Sequence, residues 1–170
     1  MLISIIIINY NTTDYLLSCL NSIIKETKDV EYEIIVVDNN SPDRKIEEFP
    51  QLYPTVNFQF RKVNYGFGDG CDYGVKISKG DYLYFMNPDI ILKNNCLLFF
   101  LNYLVNHPDV AICSGILTDN IDNPIYTYNK FPGIYWETTE ALLGNGENKI
   151  NKLIKERKLD TNTEPFEVDW

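Results

Sequence analysis

The residues able to do chemistry in this chain sit just past runs of apolar residues. Asn87, Pro88 and Asp89 follow the run Tyr82 to Met86. That run is aromatic and apolar throughout, which reads as a central strand buried on both faces. Pro88 has no N–H and cannot continue a ladder, so Asp89 falls just beyond the strand's carboxyl end. Open α/β sheets place their ligands there. One carboxylate in that position can bind a divalent cation, and the cation can hold a diphosphate. Asn-Pro-Asp also serves as a plain turn, and on these three residues alone the turn is the commoner use. Asn9 and Asn11 follow Ile5 to Ile8, and Asp38 follows Ile34 to Val37 in the same manner. Asn9, Asp38 and Asp89 can therefore converge on one crevice. Asp81 begins the Tyr82 strand and lies roughly 20 Å from its far end, too distant to share a site with Asp89.

Other chemistries find little to work with. His107 is the only histidine and precedes Pro108 in a turn, so a Ser-His-Asp or Cys-His engine has no base. Cys19, Cys71, Cys96 and Cys113 are widely spaced and form no zinc pattern. The net charge of -9 and the pI of about 4.6 argue against nucleic acid as the partner. Apolar residues make up 45 % of the 170, enough for one domain with a real core. The N-terminal apolar stretch of about seven residues is shorter than a signal peptide or a membrane span requires, so the expected compartment is the cytoplasm, with reduced thiols.

The elements that must position these groups alternate. Leu2 to Ile8 is a strand, followed by a helix capped by Thr13 that buries Leu16, Leu20, Ile23 and Ile24. Glu33 to Val37 is a second strand. Ser41 before Pro42 reads as the cap of a helix running to Leu52. Val56 to Arg61 alternates and reads as a strand nearer an edge. Four glycines between Gly66 and Gly74 form a loop feeding a helix that packs tightly through Gly70 and Gly74. Their spacing is neither the dinucleotide fingerprint nor a phosphate loop. After the Tyr82 strand come a helix capped by Asn94 or Asn95 and a fifth strand, Val110 to Leu117. This order gives a three-layer α/β/α domain with a mostly parallel sheet. Beyond it the reading is an irregular or hairpin segment over Asp119 to Pro132, helices over Ile134 to Leu143 and Glu147 to Leu159, and a strand-like Glu164 to Trp170.

Four stretches in this order carry a resemblance: Ile-Ile-Ile-Ile-Asn-Tyr-Asn at Ile5 to Asn11, Val-Val-Asp-Asn-Asn-Ser at Val36 to Ser41, the glycine loop from Asn64 to Gly74, and Phe-Met-Asn-Pro-Asp at Phe85 to Asp89. Together they resemble family 2 glycosyltransferases of the GT-A fold, most of all the subset that adds rhamnose, galactofuranose or similar sugars to bacterial polysaccharides. The resemblance implies a nucleotide-sugar-binding core over residues 1–118, with 119–170 the start of an acceptor-side region. It implies that Asn9 and Asn11 line the nucleotide pocket and that Asp38 accepts from the base edge of a UDP- or dTDP-linked sugar. Asn64, Gly66 and Phe67 would shape the wall beside base and ribose. Asp89 would take Mn2+ or Mg2+, with Asn87 where many relatives carry a first aspartate.

The activity so implied is inverting sugar transfer to a glycan or lipid-linked acceptor, the latter with peripheral contact at the inner membrane face. Such transfer needs a carboxylate base, which relatives carry in a segment beyond a Val-Asp-Trp-like strand. This sequence ends at Val168-Asp169-Trp170, and Asp119 and Asp122 are only weak candidates for the task. The expectation is a chain shortened at its C-terminus, or else a sugar-nucleotide binder lacking the base.

Overall fold

The computed structural model describes residues 1–119, 121 and 123–125. The chain divides into two compact units, residues 1–115 and 116–170. The first contains β1 (Leu2–Asn9), α1 (Thr13–Glu26), β2 (Glu31–Asp38), a 3-10 turn (Lys45–Glu48), α2 (Phe49–Leu52), β3 (Val56–Phe60), α3 (Phe67–Ile77), β4 (Tyr82–Met86) and α4 (Cys96–Asn106). Its four strands form one parallel sheet in the order β3-β2-β1-β4. Among the described residues no helix is long and apolar enough to cross a membrane.

Side-chain alternation along β1 builds the three layers. Ile3, Ile5 and Ile7 join Leu16, Leu20 and Ile23 of α1, Phe49 of α2 and Leu97 and Leu101 of α4 on one face. Ile6 and Ile8 join Ile35 and Val37 on the other, covered by Cys71, Tyr73 and Ile77 of α3. Both faces of β1 and β2 are thereby removed from water, which is why their sequences read as unbroken apolar runs.

The expected close packing of α3 is present. A Cβ on Gly70 would lie 3.0 Å from Ile8 Cγ2, and one on Gly74 only 2.5 Å from Ile6 Cγ2. Gly74→Ala should therefore push α3 off the sheet and lower stability by about 2 kcal/mol, the usual scale of core overpacking. Urea unfolding checks this, and a loss below about 0.5 kcal/mol would show that Ile6 yields freely.

Three expectations are corrected. The Tyr82–Met86 strand lies at an edge of the described sheet, not at its centre. Tyr82, Tyr84 and Met86 pack on the α1 and α4 face, whereas Leu83 and Phe85 are 43 % and 47 % exposed because α3 covers β1 and β2 instead. The helix expected from Ser41 to Leu52 is two short pieces. Arg44 has a left-handed backbone (φ 53°), and Pro50 supplies no N–H to a helix continuing from the 3-10 turn. The fifth strand, expected over Val110 to Leu117, is not formed, and only Leu117 of that run lies in a strand. Residues 111–116 have no regular structure, Ile112 is 66 % exposed, and Ser114-Gly115 interrupts the apolar run.

In the second unit, β5 (Leu117–Thr118) pairs antiparallel with β6 (Pro124–Ile125). The Asp119 carboxylate closes that hairpin by accepting from the N–H groups of Ile121 and Asn123. The expected helices over 134–143 and 147–159 and the strand over 164–170 lie outside the described residues, as does Asp122.

Candidate functional site

All four parallel strands deliver their carboxyl ends to one edge of the sheet. β2 and β3 succeed β1 on one side, while β4 pairs with β1 on the other, so the chain changes direction between β1 and β4. A crevice opens outside the strand ends at such a switch point. Asn9 to Asn11 flank it from β1, and Asn87 to Asp89 flank it from β4. Asp38 ends the next strand over, about 10 Å from the β4 end at two strand spacings.

A buried polar network fixes the β1 and β2 ends. Asn9 is wholly buried, and its amide donates to Asp38 Oδ1 (2.8 Å) and Ser41 Oγ (3.1 Å). Its Oδ1 accepts from Thr12 Oγ1 (2.9 Å). The Ser41 hydroxyl donates to Asp38 Oδ1 (2.5 Å) and accepts from the Asn11 N–H (2.9 Å). The Ser41 N–H donates to Asp38 Oδ2 (2.9 Å). Three of the four lone-pair directions of Asp38 are thus occupied, and one remains. Asn11, exposed and left-handed at φ 56°, is held over the network by its backbone, and exposed Tyr10 stands beside it.

The loop before α3 is shaped locally. Asn64 Oδ1 accepts from the Gly66 N–H (2.8 Å), and Gly66 adopts φ 90°, a conformation side chains disfavour. Phe67 opens α3 and is 58 % exposed, so it is not a core residue.

On the β4 side, the Ile90 N–H donates to the Asn87 carbonyl (3.2 Å), closing a turn with Asp89 inside it. Asn87 and Asp89 are both exposed. No hydrogen bond or ion pair engages the Asp89 carboxylate among the described residues, so its oxygens can face a ligand. No group of three or more His, Cys, Asp or Glu among those residues could enclose a metal by itself. A lone exposed carboxylate still suits Mg2+ or Mn2+, which bind through one or two carboxylates plus substrate phosphates.

Cys19 of α1 lies beneath this turn, with its thiol 3.8 Å from the Asn87 carbonyl. Burial, and secondarily the negative charge of Asp89, push the thiol up to about 12 from an ordinary 9.0. The unfolded chain releases this proton near pH 9 and the folded chain holds it. The stability from the neutral thiol is therefore complete below pH 9 and is lost as pH rises towards 12, at up to about 1.4 kcal/mol per pH unit. The stability gap between the parent and Cys19→Ala should narrow between pH 9 and 11 in urea titrations, and a constant gap would refute the linkage.

The arrangement places a hydrogen-bonded amide-carboxylate network at the β1 and β2 ends and an open carboxylate beyond the β4 end. Glycosyl transferase family 2 matches residues 4–166. The chain belongs to that family. It is 30% identical over 170 residues to Poly(ribitol-phosphate) beta-glucosyltransferase of Bacillus spizizenii, covering 94% of this chain and 26% of that protein. It is 32% identical to Minor teichoic acid biosynthesis protein GgaB of Bacillus subtilis, covering 97% and 17%. It is 28% identical to Rhamnosyltransferase WbbL of Escherichia coli, covering 89% and 59%. The chain thus spans about a quarter or less of the first two relatives. Among solved structures, S. aureus TarS 1-349 matches with a TM-score of 0.56 at 24% identity, over 64% of this chain and 33% of that one. That likeness supports the three-layer GT-A fold.

Within this family 2 core, three residues gain roles that the linear sequence did not suggest. Ser41, expected to cap a helix, instead joins the β1 and β2 ends; the Asp-x-x-Ser spacing was the available signal. Asn39 is 2 % exposed, and its amide donates to the Gly66 carbonyl (2.9 Å). Arg61, at the end of β3, pairs with Asp69 of α3 (2.7 Å). Thr13 is the buried first residue of α1, not its cap; Thr12 holds the cap position without a side-chain capping bond.

Proposed function

We propose that this chain is the donor-binding core of an inverting, cation-dependent glycosyltransferase of bacterial surface polysaccharide synthesis. The observation that carries this reading is the pairing of the Asn9-Asp38-Ser41 network with the open Asp89 carboxylate on either side of one switch point. The base and ribose of a UDP- or dTDP-linked sugar would lie over Asn9, Asn11 and Asp38, walled by Asn64, Gly66 and Phe67. The remaining acceptor direction of Asp38 suits the imide N–H of uracil or thymine. Asp89 would hold Mn2+ or Mg2+ against the diphosphate, with Asn87 beside it. Bound there, the cation supplies positive charge against the departing diphosphate in an otherwise acidic protein.

Transfer would proceed by attack of an acceptor hydroxyl on the anomeric carbon. The bond from that carbon to the diphosphate oxygen breaks, the electron pair leaves with the nucleoside diphosphate, and the hydroxyl proton passes to a carboxylate base. No described residue is assigned that last task.

The similarity to a rhamnosyltransferase and to proteins of ribitol-phosphate and teichoic acid chemistry favours a glycan or lipid-linked acceptor. A lipid-linked one would bring a cytoplasmic protein to the inner membrane face. The test is incubation with labelled UDP- and dTDP-sugars, manganese and polyol-phosphate or lipid-linked acceptors. Labelled product of inverted anomeric configuration supports the proposal, whereas no turnover of any donor together with no nucleotide binding overturns it.

A further inference from the structure

We infer that Arg61 is a positioning residue that holds the segment from Lys62 to Gly70 in the shape the nucleotide site needs. The inference rests on the functional reading above only for its ligand. Arg61 touches both the end of β2 and the segment that opens α3. Its N–H donates to the Asp38 carbonyl (2.9 Å), extending the β2 and β3 pairing by one residue. Its side chain lines a cavity of about 90 Å³ together with Asp38, Asn40, Ser41 and Phe60. On the other side, the guanidinium donates to Asp69 Oδ1 (2.7 Å) in the first turn of α3. It also lies over the rings of Tyr65 (5.2 Å) and Tyr73 (4.6 Å).

This combination suits a latch. The Arg61 side chain is 16 % exposed, while its partner Asp69 is 49 % exposed. One cation thus joins a loop residue, a first-turn residue and a residue two turns into α3. Arginine can stack on rings and hydrogen-bond in the plane of its guanidinium at once, which a compact ammonium does less well. A second tie, from the Asn39 amide to the Gly66 carbonyl, anchors the same segment to β2. Between these ties lie Lys62, Val63 and Asn64, all exposed, and Gly66 at the second tie has a positive φ. Such a stretch has a large conformational freedom to lose on binding, and ties that remove that freedom beforehand raise affinity without touching the ligand. Arg61 Nη1 is buried without a hydrogen-bond partner, so the aromatic and ionic contacts compensate an incomplete set of hydrogen bonds.

The experiment compares the parent with Arg61→Ala and Arg61→Lys by amide hydrogen exchange and by titration of UDP with manganese. Arg61→Ala should speed exchange across residues 62–70 about tenfold or more, leave β1 amides unchanged, and weaken UDP binding about tenfold. Arg61→Lys, which keeps a cation for Asp69 but stacks on the two rings less well, should recover only part of both losses. Unchanged exchange in Arg61→Ala would overturn the inference, and so would faster exchange with undiminished UDP affinity. Weaker binding with unchanged exchange would also overturn it, placing Arg61 against the ligand itself. If the parent binds no UDP, the functional reading fails, and the exchange data alone decide whether Arg61 holds the segment.

Discussion

Asp89→Ala should weaken cation-assisted binding of a nucleoside diphosphate by about thirtyfold, or about 2 kcal/mol, while leaving the fold intact. The two effects separate because of where Asp89 sits. It follows β4 in a turn closed by the Asn87 carbonyl and the Ile90 N–H, which the substitution does not touch. Its carboxylate is exposed and makes no hydrogen bond among the described residues, so its loss should alter stability by no more than about 0.5 kcal/mol. Binding is another matter. A diphosphate brings negative charge to a chain whose net charge is -9, and without a held cation the encounter is repulsive. Asn87→Ala should have a milder effect, since an amide is the poorer ligand. Calorimetric titration with manganese checks both variants; an Asp89→Ala protein that binds as tightly as the parent would return Asn-Pro-Asp to the role of a plain turn.

Asp38→Ala should be the most damaging change to stability, at about 3 kcal/mol. The Asp38 side chain is 4 % exposed and accepts from Asn9 Nδ2, Ser41 Oγ and the Ser41 N–H. Alanine would leave these buried donors without their acceptor, and each such loss costs about 1–3 kcal/mol before the loops relax. Asn9 and Ser41 retain a bond to each other, which keeps the total below the simple sum. Asp38→Asn retains the shape and one acceptor oxygen and should lose less. Ser41→Ala should fall between Asp38→Asn and Asp38→Ala, because it frees the Asn11 N–H as well. Urea unfolding of the three variants checks this ranking. A loss below about 1 kcal/mol for Asp38→Ala would mean that water replaces the network, and that the β1 and β2 ends are not held by it.

The layers were legible because β1 and β2 are buried on both faces and their residues say so. The spacing of Gly70 and Gly74 similarly announced a helix lying close on the sheet. The sequence misled where an apolar residue was not a buried one. The run from Tyr82 to Met86 looks as continuous as Ile5 to Ile8, yet one of its faces lies beyond the reach of α3. Pattern alone cannot say how far a helix extends over its sheet. Ser41 misled for another reason. Ser before Pro is a good helix cap, but the hydroxyl found a stronger partner in the Asp38 carboxylate, three residues earlier and held by the strand. Pro50 then prevented one continuous helix. Of the site, Asn9, Asp38 and Asp89 could be placed from strand ends alone. Asn39 and Arg61 could not, because their roles depend on which side of the sheet α3 covers and on contacts between residues 8 to 27 positions apart.

The central claim is that one crevice at the carboxyl edge of this sheet binds a nucleoside diphosphate with the help of a cation. Its most direct test is calorimetric titration of the parent chain with UDP and with dTDP, each with manganese and with a chelator. The expected result is micromolar binding of at least one of the two with manganese, weakened about tenfold or more when the cation is removed. Binding of equal strength with and without the cation, or no binding of either nucleotide, would contradict it.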